Sequence, residues 1–187
     1  KEKIKGLKLR ADCLSMTATP IPRTLHMALS GIRDLSLIAT PPKNRFPVDT
    51  EVLEFSEAVI REAIEREMAR DGQVFFVHNR VRTLGAIEGL LRKIVPHARI
   101  AVAHGQMPER ELEKTMASFY RADADLLLST MIVESGLDLP NANTLIVHRA
   151  DRLGLAQLHQ LRGRVGRGSR RAHAYFLVPR HARLRPQ

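Results

Sequence analysis

Among its 187 residues the chain has one cysteine, no tryptophan and only two tyrosines, and aromatic residues make up 4% of it. A single thiol, Cys13, can form no internal disulfide and gives a metal no second thiolate, which excludes a disulfide-stapled secreted scaffold and a thiolate zinc site. Set in the run Ala11–Met16, Cys13 reads as a small buried hydrophobe. The eight histidines show no paired ligand spacing, so no metal site is proposed from the sequence. Long apolar runs are missing as well. Val74–Val77 and Leu126–Leu128 fall far short of the roughly 20 residues that a membrane-spanning helix requires. The start, Lys1-Glu2-Lys3-Ile4-Lys5, lacks an initiator methionine and the apolar core of a secretion signal. The expectation is therefore a cytoplasmic piece of a longer protein with no membrane partner.

Acidic side chains are scarce at both ends, and the charge that is present is unevenly placed. The formal balance is +10, from 30 basic and 20 acidic residues. Residues 1–10 carry +4, and residues 149–187 carry ten arginines against Asp151 alone, +9, leaving a body that is slightly negative. Guanidinium groups bind phosphate bidentately and never lose their charge. An all-arginine segment of this kind points to nucleic acid or nucleotide, whereas Arg180–Arg185 reads more simply as a solvated basic tail.

With 44% apolar and 27% charged residues, the composition is that of a globular domain. From residue 50 onward short β-type runs alternate with amphipathic stretches. The pattern predicts strands at Val52–Phe55, Gln73–His78, Arg99–Ala103, Asp125–Ser129, Thr144–His148 and His173–Val178. Between them it predicts a helix capped by Ser56 with Arg61–Glu65 and Glu62–Arg66 pairs, and a second helix with a Leu84, Ile87, Leu91, Ile94 stripe stopped by Pro96. A third helix should open on Pro108 and bury Leu112, Met116 and Phe119/Tyr120, and a fourth should begin near Leu155. Strands apolar on consecutive residues and separated by helices imply an α/β fold, a parallel sheet with helices on both faces. In such sheets ligands bind beyond the carboxyl ends of the strands. Those ends are polar here: His78-Asn79, His104-Gly105, Ser129-Thr130 and His148-Arg149. Residues 1–49 stand outside the alternation, with strands expected at Ala11–Met16 and Leu35–Ala39, a helix near Thr24–Leu29 and a linker at Pro41-Pro42-Lys43-Asn44.

Four constellations carry chemistry. In the run Gln157–Arg167, the side chains of Gln160, Arg164 and Arg167 would fall within about 60° of one another on a continuous helix. Gly163 and Gly166 would each cost such a helix roughly 1 kcal/mol, so a close neighbour, another lobe or a phosphate, should need the backbone bare. Converging arginines suit phosphoryl transfer, where charge develops on the transferred group. The plainer account is a surface helix that holds nucleic-acid backbone. In Ser129–Asp138, hydroxyls at a strand end can hold a phosphate, and Gly136 with Asp138 can line a sugar, although turn chemistry explains the latter two as well. His104-Gly105-Gln106-Met107 precedes a helix N-terminus, where free N–H groups favour an anion. Thr17–Thr24, with its two prolines, is either a coupling segment or a rigid corner. No G-x-x-x-x-G-K-[ST] phosphate cradle and no acidic pair for Mg²⁺ occurs, so the arginines make half a site at most.

These motifs, in this order, resemble the C-terminal RecA-like lobe of superfamily 2 helicases and translocases. Thr17–Pro20 corresponds to the third motif, Gln73–Val81 to the fourth, His104–Met107 to the segment after it, Ser129–Asp138 to the fifth and Gln160–Arg167 to the sixth. Thr17–Thr24 and Gly154–Arg164 are similar to the subgroup of RecG and the transcription-repair coupling factors, and Met27–Ser36 with Ile38–Pro42 is closer to the latter. The resemblance implies residues 1–44 as the tail of a first lobe with its linker and residues 45–187 as the second lobe. It implies a parent that binds double-stranded DNA, hydrolyses ATP with Mg²⁺, displaces stalled RNA polymerase and recruits nucleotide excision repair proteins. Arg164 and Arg167 would be catalytic, reaching the γ-phosphate; Gly136, Asp138 and Gln160 would bind the nucleotide, Gln160 also coupling the lobes. His104, Gly105 and Thr130 would contact DNA, and Thr17 and Thr19 would link nucleotide state to DNA grip. The arginine pair should then be aimed from the sheet's ligand edge at a nucleotide held by the other lobe, and the isolated chain should be inactive. A RecG-type fork-remodelling enzyme and a non-catalytic nucleic-acid-binding module remain open alternatives.

Overall fold

The computed structural model describes residues 46–131, 139, 141–166 and 170–180, together with Ser36 and Ile38. The chain divides into two compact units, Lys1–Ala39 and Thr40–Gln187. The strand expected at Ala11–Met16 and the helix near Thr24–Leu29 lie outside the described residues, as do Thr17, Thr19, Cys13, Gly136, Asp138 and Arg167, and of the strand expected at Leu35–Ala39 only Ser36 and Ile38 are described.

In the second unit the described residues form one six-stranded sheet: β1 (Val48–Glu54), β2 (Gln73–His78), β3 (Ile100–Ala103), β4 (Leu126–Ser129), β5 (Ala142–His148) and β6 (Ala172–Val178). Every pairing is parallel, in the order β1-β6-β5-β2-β4-β3. The helices are α1 (Glu57–Met68), α2 (Leu84–Ile94), α3 (Glu109–Tyr120) and α4 (Leu155–Arg162). β2 and β4 are buried along their whole length, the result expected of consecutive apolar residues in a sheet covered twice.

Alternation along the strands sorts the core into two layers. Val74, Phe76, Leu126, Leu128, Ile146 and Leu177 meet Ile60 and Ile64 of α1 and Leu91 and Ile94 of α2. Phe75, Val77, Leu127, Leu145, Val147 and Phe176 meet Met116 and Phe119 of α3 and Leu161 of α4. The chain thus leaves β1 and β2 over one face and β3 and β5 over the other. Between β2 and β5 the departures are opposite, which opens a crevice at their carboxyl ends.

Several local expectations are met with altered detail. Ser56 takes the N-cap position of α1, but its hydroxyl makes no capping bond. Arg61 donates to the Ile94 carbonyl and Arg66 to the Tyr175 hydroxyl, so tertiary partners replace the expected pairs along the helix. Asp71 turns α1 off at φ 55°, and Gly72 follows because a Cβ there would lie 1.7 Å from Glu67 Oε1. Glu67 is fully buried and accepts from Thr144 Oγ1 at 2.6 Å and Arg70 at 2.5 Å. Pro108 is the N-cap of α3 and not its first helical residue, and Tyr120 is exposed.

The largest departure is at α4. A helix continuous to Arg167 would have grouped Gln160 with both arginines, but α4 stops at Arg162 and Gly163 caps it. Gly166 has φ +70°, and a Cβ there would come 2.6 Å from the Ala172 Cβ and 3.4 Å from Val48 Cγ2. Its N–H donates to the Ala142 carbonyl at 3.2 Å. At Gly166 the bare backbone therefore serves close packing on the first residues of β1, β5 and β6.

Candidate functional site

Because all six strands run the same way, their carboxyl ends line one edge. Register places His148 of β5 opposite His78 of β2, and Ser129 of β4 opposite both Val77 of β2 and Ala103 of β3. One residue further on, Thr130 donates its N–H to the Ala103 carbonyl at 3.3 Å, and His104 begins a turn. His148, His78, Thr130 and His104 thus form a row across four adjacent strands. The three DNA candidates His104, Gly105 and Thr130 do come together. They differ in access: Gly105 is exposed, His104 half-buried, and Thr130 only 6% exposed.

The turn after β3 is closed by Met107, whose N–H donates to the His104 carbonyl at 3.0 Å while its sulfur accepts from the His104 N–H at 3.3 Å. The Nδ1 of His104 is buried without a hydrogen-bond partner among the described residues. The Ser129 hydroxyl donates to the Thr130 carbonyl at 2.9 Å, so it is spent within the loop.

At the crevice, His78 and His148 are stacked with ring centroids 4.9 Å apart and Nδ1 atoms at 2.9 Å. The other nitrogen of His78, Nε2, is 2.7 Å from Thr83 Oγ1, and Thr83 donates its hydroxyl proton to the Arg80 carbonyl at 3.4 Å. One tautomer set satisfies the chain: Thr83 accepts from His78 Nε2–H, leaving His78 Nδ1 to accept from His148 Nδ1–H. Burial, reinforced by the neighbouring His78 and Arg149, pushes His148 down to about 4, with Asp151 opposing. Burial first and Arg80 second lower His78 as well.

Charge is supplied beside this pair. The turn Val81–Thr83 connects β2 to α2, and Arg80, Val81, Arg82 and Thr83 line an open cleft. After β5, Arg149 sits in the left-handed region at φ 59° and holds Asp151 through two bonds of 2.9 Å. Arg152 approaches the same carboxylate at 3.5 Å, and the bond from Arg149 keeps the Asp151 carboxyl below its ordinary range. Sequence reasoning marked the histidines as polar strand ends but missed Arg80 and Arg82. Their signal was their place two and four residues past an apolar strand.

Of the arginine pair only Arg164 can be placed, since Arg167 lies outside the described residues. α4 runs from the carboxyl edge back toward the start of β6, and by Gly166 the chain touches Ala142, the first residue of β5. The backbone of Arg164, a half-buried residue in the turn two positions earlier, therefore lies toward the amino end of the sheet. Gln160, exposed on α4, is separated from it by the end of the helix. The backbone of Arg164 has thus left the edge that holds His78, Thr130 and His104. Arg170, whose guanidinium donates to the Arg70 carbonyl beyond α1, also lies at the amino end.

As donors, an amide and guanidinium groups match the acceptor oxygens of a phosphate. Among the described residues no group of three or more carboxylate, histidine or cysteine side chains is positioned for a metal, so no residue is assigned to Mg²⁺. No described helix is long and apolar enough to cross a membrane.

The model of the helicase conserved C-terminal domain matches residues 56–169. The chain is 59% identical over 179 residues, 96% of its length, to the transcription-repair-coupling factors of Staphylococcus epidermidis and Staphylococcus aureus. It spans 15% of the length of those relatives. Among solved structures, RecG bound to a three-way DNA junction aligns with TM-score 0.72 and 33% identity over 92% of this chain and 25% of that one. Domain 2 of the DEAD-box helicase Mss116p, bound to an RNA duplex, shares the fold at TM-score 0.58 and 18% identity, covering 70% of this chain and 54% of that one. With its six parallel strands, two-faced helical cover and matched domain model, the chain belongs to the helicase conserved C-terminal domain family.

Proposed function

We propose that residues 45–187 are the second RecA-like lobe, and residues 1–44 the tail of the first, of an ATP-dependent double-stranded DNA translocase of the transcription-repair coupling type. In that role the parent displaces stalled RNA polymerase and passes the site to nucleotide excision repair proteins in the cytoplasm. The observation that carries this reading is the 59% identity across 96% of the chain to proteins of that name. The carboxyl edge supports its nucleic-acid half: Arg80 and Arg82 supply charge, the His104-Gly105 turn supplies backbone, and Thr130 lies beneath that surface.

The nucleotide half rests on likeness to the family alone, since Arg167, Gly136 and Asp138 lie outside the described residues. ATP with Mg²⁺, held mainly by the other lobe, supplies a phosphate charge that is lost on hydrolysis. Arg164 and Arg167 stabilise the charge that develops on the γ-phosphate, and Gly136, Asp138 and Gln160 hold the nucleotide against this lobe. Thr17 and Thr19 carry the nucleotide state to the DNA grip. In a protein of the relatives' full length carrying this sequence, Arg167→Ala or Arg164→Ala should lower ATP hydrolysis by on the order of 10³-fold and leave DNA affinity within a few-fold. Normal hydrolysis in both variants would reject the arginine roles.

A RecG-type fork-remodelling enzyme is the second reading, favoured by the structural likeness to RecG on a DNA junction. Release of stalled RNA polymerase from a DNA template, against regression of a model fork, separates the two.

A further inference from the structure

β3 is an edge strand of the sheet, bonded only to β4. At its end the Ala103 carbonyl accepts the Thr130 N–H at 3.3 Å and so points toward β4. In a planar trans peptide the carbonyl and the following N–H point opposite ways, so the His104 N–H faces away from β4, where no strand is present to accept it. The Met107 sulfur accepts it instead, at 3.3 Å, while the Met107 N–H returns to the His104 carbonyl at 3.0 Å. Two bonds thus tie His104 to Met107, with Gly105 and Gln106 as the tip between them. Neither bond depends on a tautomer, since both donors are backbone N–H groups and a thioether can only accept.

The common task of a methionine, filling a gap in a core, does not account for this one. Met107 is half-buried, but it belongs neither to the two core layers nor to the side chains packed on them. What it closes is the turn at the ligand edge. Gly105 and Gln106 are exposed there, and among the described residues no acceptor takes their N–H groups. Glu109 and Glu111 offset the dipole of α3 in its first turn, so the neutral donors that remain for an anion are the amides of the tip.

We propose that Met107 is a positioning residue for DNA: its sulfur, by holding the His104 N–H, fixes the Gly105-Gln106 tip in the conformation that gives its amides to a backbone phosphate. The inference rests on the reading that this edge meets DNA. Without the sulfur one bond holds the turn where two did, and the tip must be ordered on binding at a cost in affinity. Backbone amides carry neither net charge nor base information. The loss should therefore be the same for every sequence and leave the salt dependence, which counts cations on phosphates, as it was.

The test is fluorescence anisotropy with a labelled mixed-sequence DNA duplex over a series of salt concentrations, on a protein of the relatives' full length carrying this sequence. Met107→Leu keeps the apolar volume and removes the acceptor; it should weaken binding by about three- to five-fold, the equivalent of one modest net hydrogen bond, with Tm and salt slope unchanged. Met107→Asn sets a carbonyl oxygen the same number of bonds from the backbone as the sulfur and should recover the wild-type affinity. A Leu variant that binds as wild type does, or an Asn variant that binds no better than Leu, overturns the role of the sulfur while the DNA reading stands. A Tm that falls together with the affinity would make Met107 a structural residue, and a shallower salt slope would place the loss on cations elsewhere; either result overturns the proposal as well. A wild type without DNA affinity overturns both the proposal and the reading beneath it.

Discussion

Gly163 and Gly166, three residues apart in one motif, should respond oppositely to alanine, and the contrast tests where α4 ends. At Gly166 the backbone has φ +70°, where a Cβ crowds the following carbonyl, and the added atom would lie 2.6 Å from the Ala172 Cβ. The left-handed conformation costs an L-residue about 1–2 kcal/mol, and overpacking a fixed neighbour adds about 1–3 kcal/mol. Ala172 is fully buried at the first paired residue of β6, so it cannot swing aside as a long side chain would. A loss of about 3 kcal/mol corresponds to roughly 6–12 °C in Tm for a domain of this size. At Gly163 the backbone is ordinary right-handed helix, φ −66°, and the nearest atoms to an added Cβ are the carbonyls of Gln160 and His159 at 3.3 and 3.5 Å. There alanine restricts the unfolded chain by up to about 1 kcal/mol against a tight contact, so the net change should stay within about 1 kcal/mol of zero. Thermal and urea unfolding of the two variants measure both values. Equal effects at the two positions, or a Gly166→Ala protein as stable as wild type, would refute the turn geometry and restore a helix continuous through Arg167.

Glu67→Ala should cost about 3–5 kcal/mol in urea unfolding, because it leaves Arg70 beside a buried vacancy and strips Thr144 of its acceptor; a loss below about 1 kcal/mol would contradict the network. Arg80→Ala and Arg82→Ala should each weaken duplex binding regardless of base sequence and reduce the salt slope by about 0.9 for each phosphate that is no longer neutralised; unchanged slopes would remove the turn from the DNA surface. Because His148 is held down near 4 in the folded protein against 6.5 as a free side chain, the unfolded state binds more protons between those values. Stability should therefore be full above pH 6.5 and fall as pH drops toward 4, and His148→Phe should flatten that part of a Tm-against-pH series.

Strand and helix order was legible because apolar periodicity records burial, and burial here is simple. β2, with six consecutive buried residues, and α2, with Leu84, Leu91 and Ile94 at helical spacing, match their predicted limits. Where the sequence pattern was overruled, a distant residue did it. Arg66 pairs with the Tyr175 hydroxyl 109 positions away instead of with Glu62, and Arg61 with the Ile94 carbonyl instead of Glu65. Local pair rules count only neighbours on the same helix, whereas a guanidinium beside a packed sheet has better-desolvated partners within reach.

The candidate site shows the same division. Polar residues at the ends of apolar strands could be read directly, since a parallel sheet must collect its carboxyl ends on one edge whatever the strand order. His78, Thr130, His104 and His148 needed no coordinates for that. Strand order did need them: only the crossing between β2 and β5 puts His78 against His148, seventy positions apart, and thereby ties Thr83 and the Arg80–Arg82 turn to β5. The arginines are the sharper case. Along the chain they form one basic block from Arg149 onward, within which spacing grouped Gln160, Arg164 and Arg167 on one face. In three dimensions α4 carries the chain from one edge of the sheet toward the other, leaving Arg149 and Arg152 at the carboxyl end, and Arg170 with the backbone of Arg164 toward the amino end. Composition and periodicity sufficed for the layers, because hydrophobic burial is a local average. The partition of the basic backbone segments between two opposite edges was settled by where one eight-residue helix stops and by a left-handed glycine, Gly166, that packs on the first residues of β1, β5 and β6.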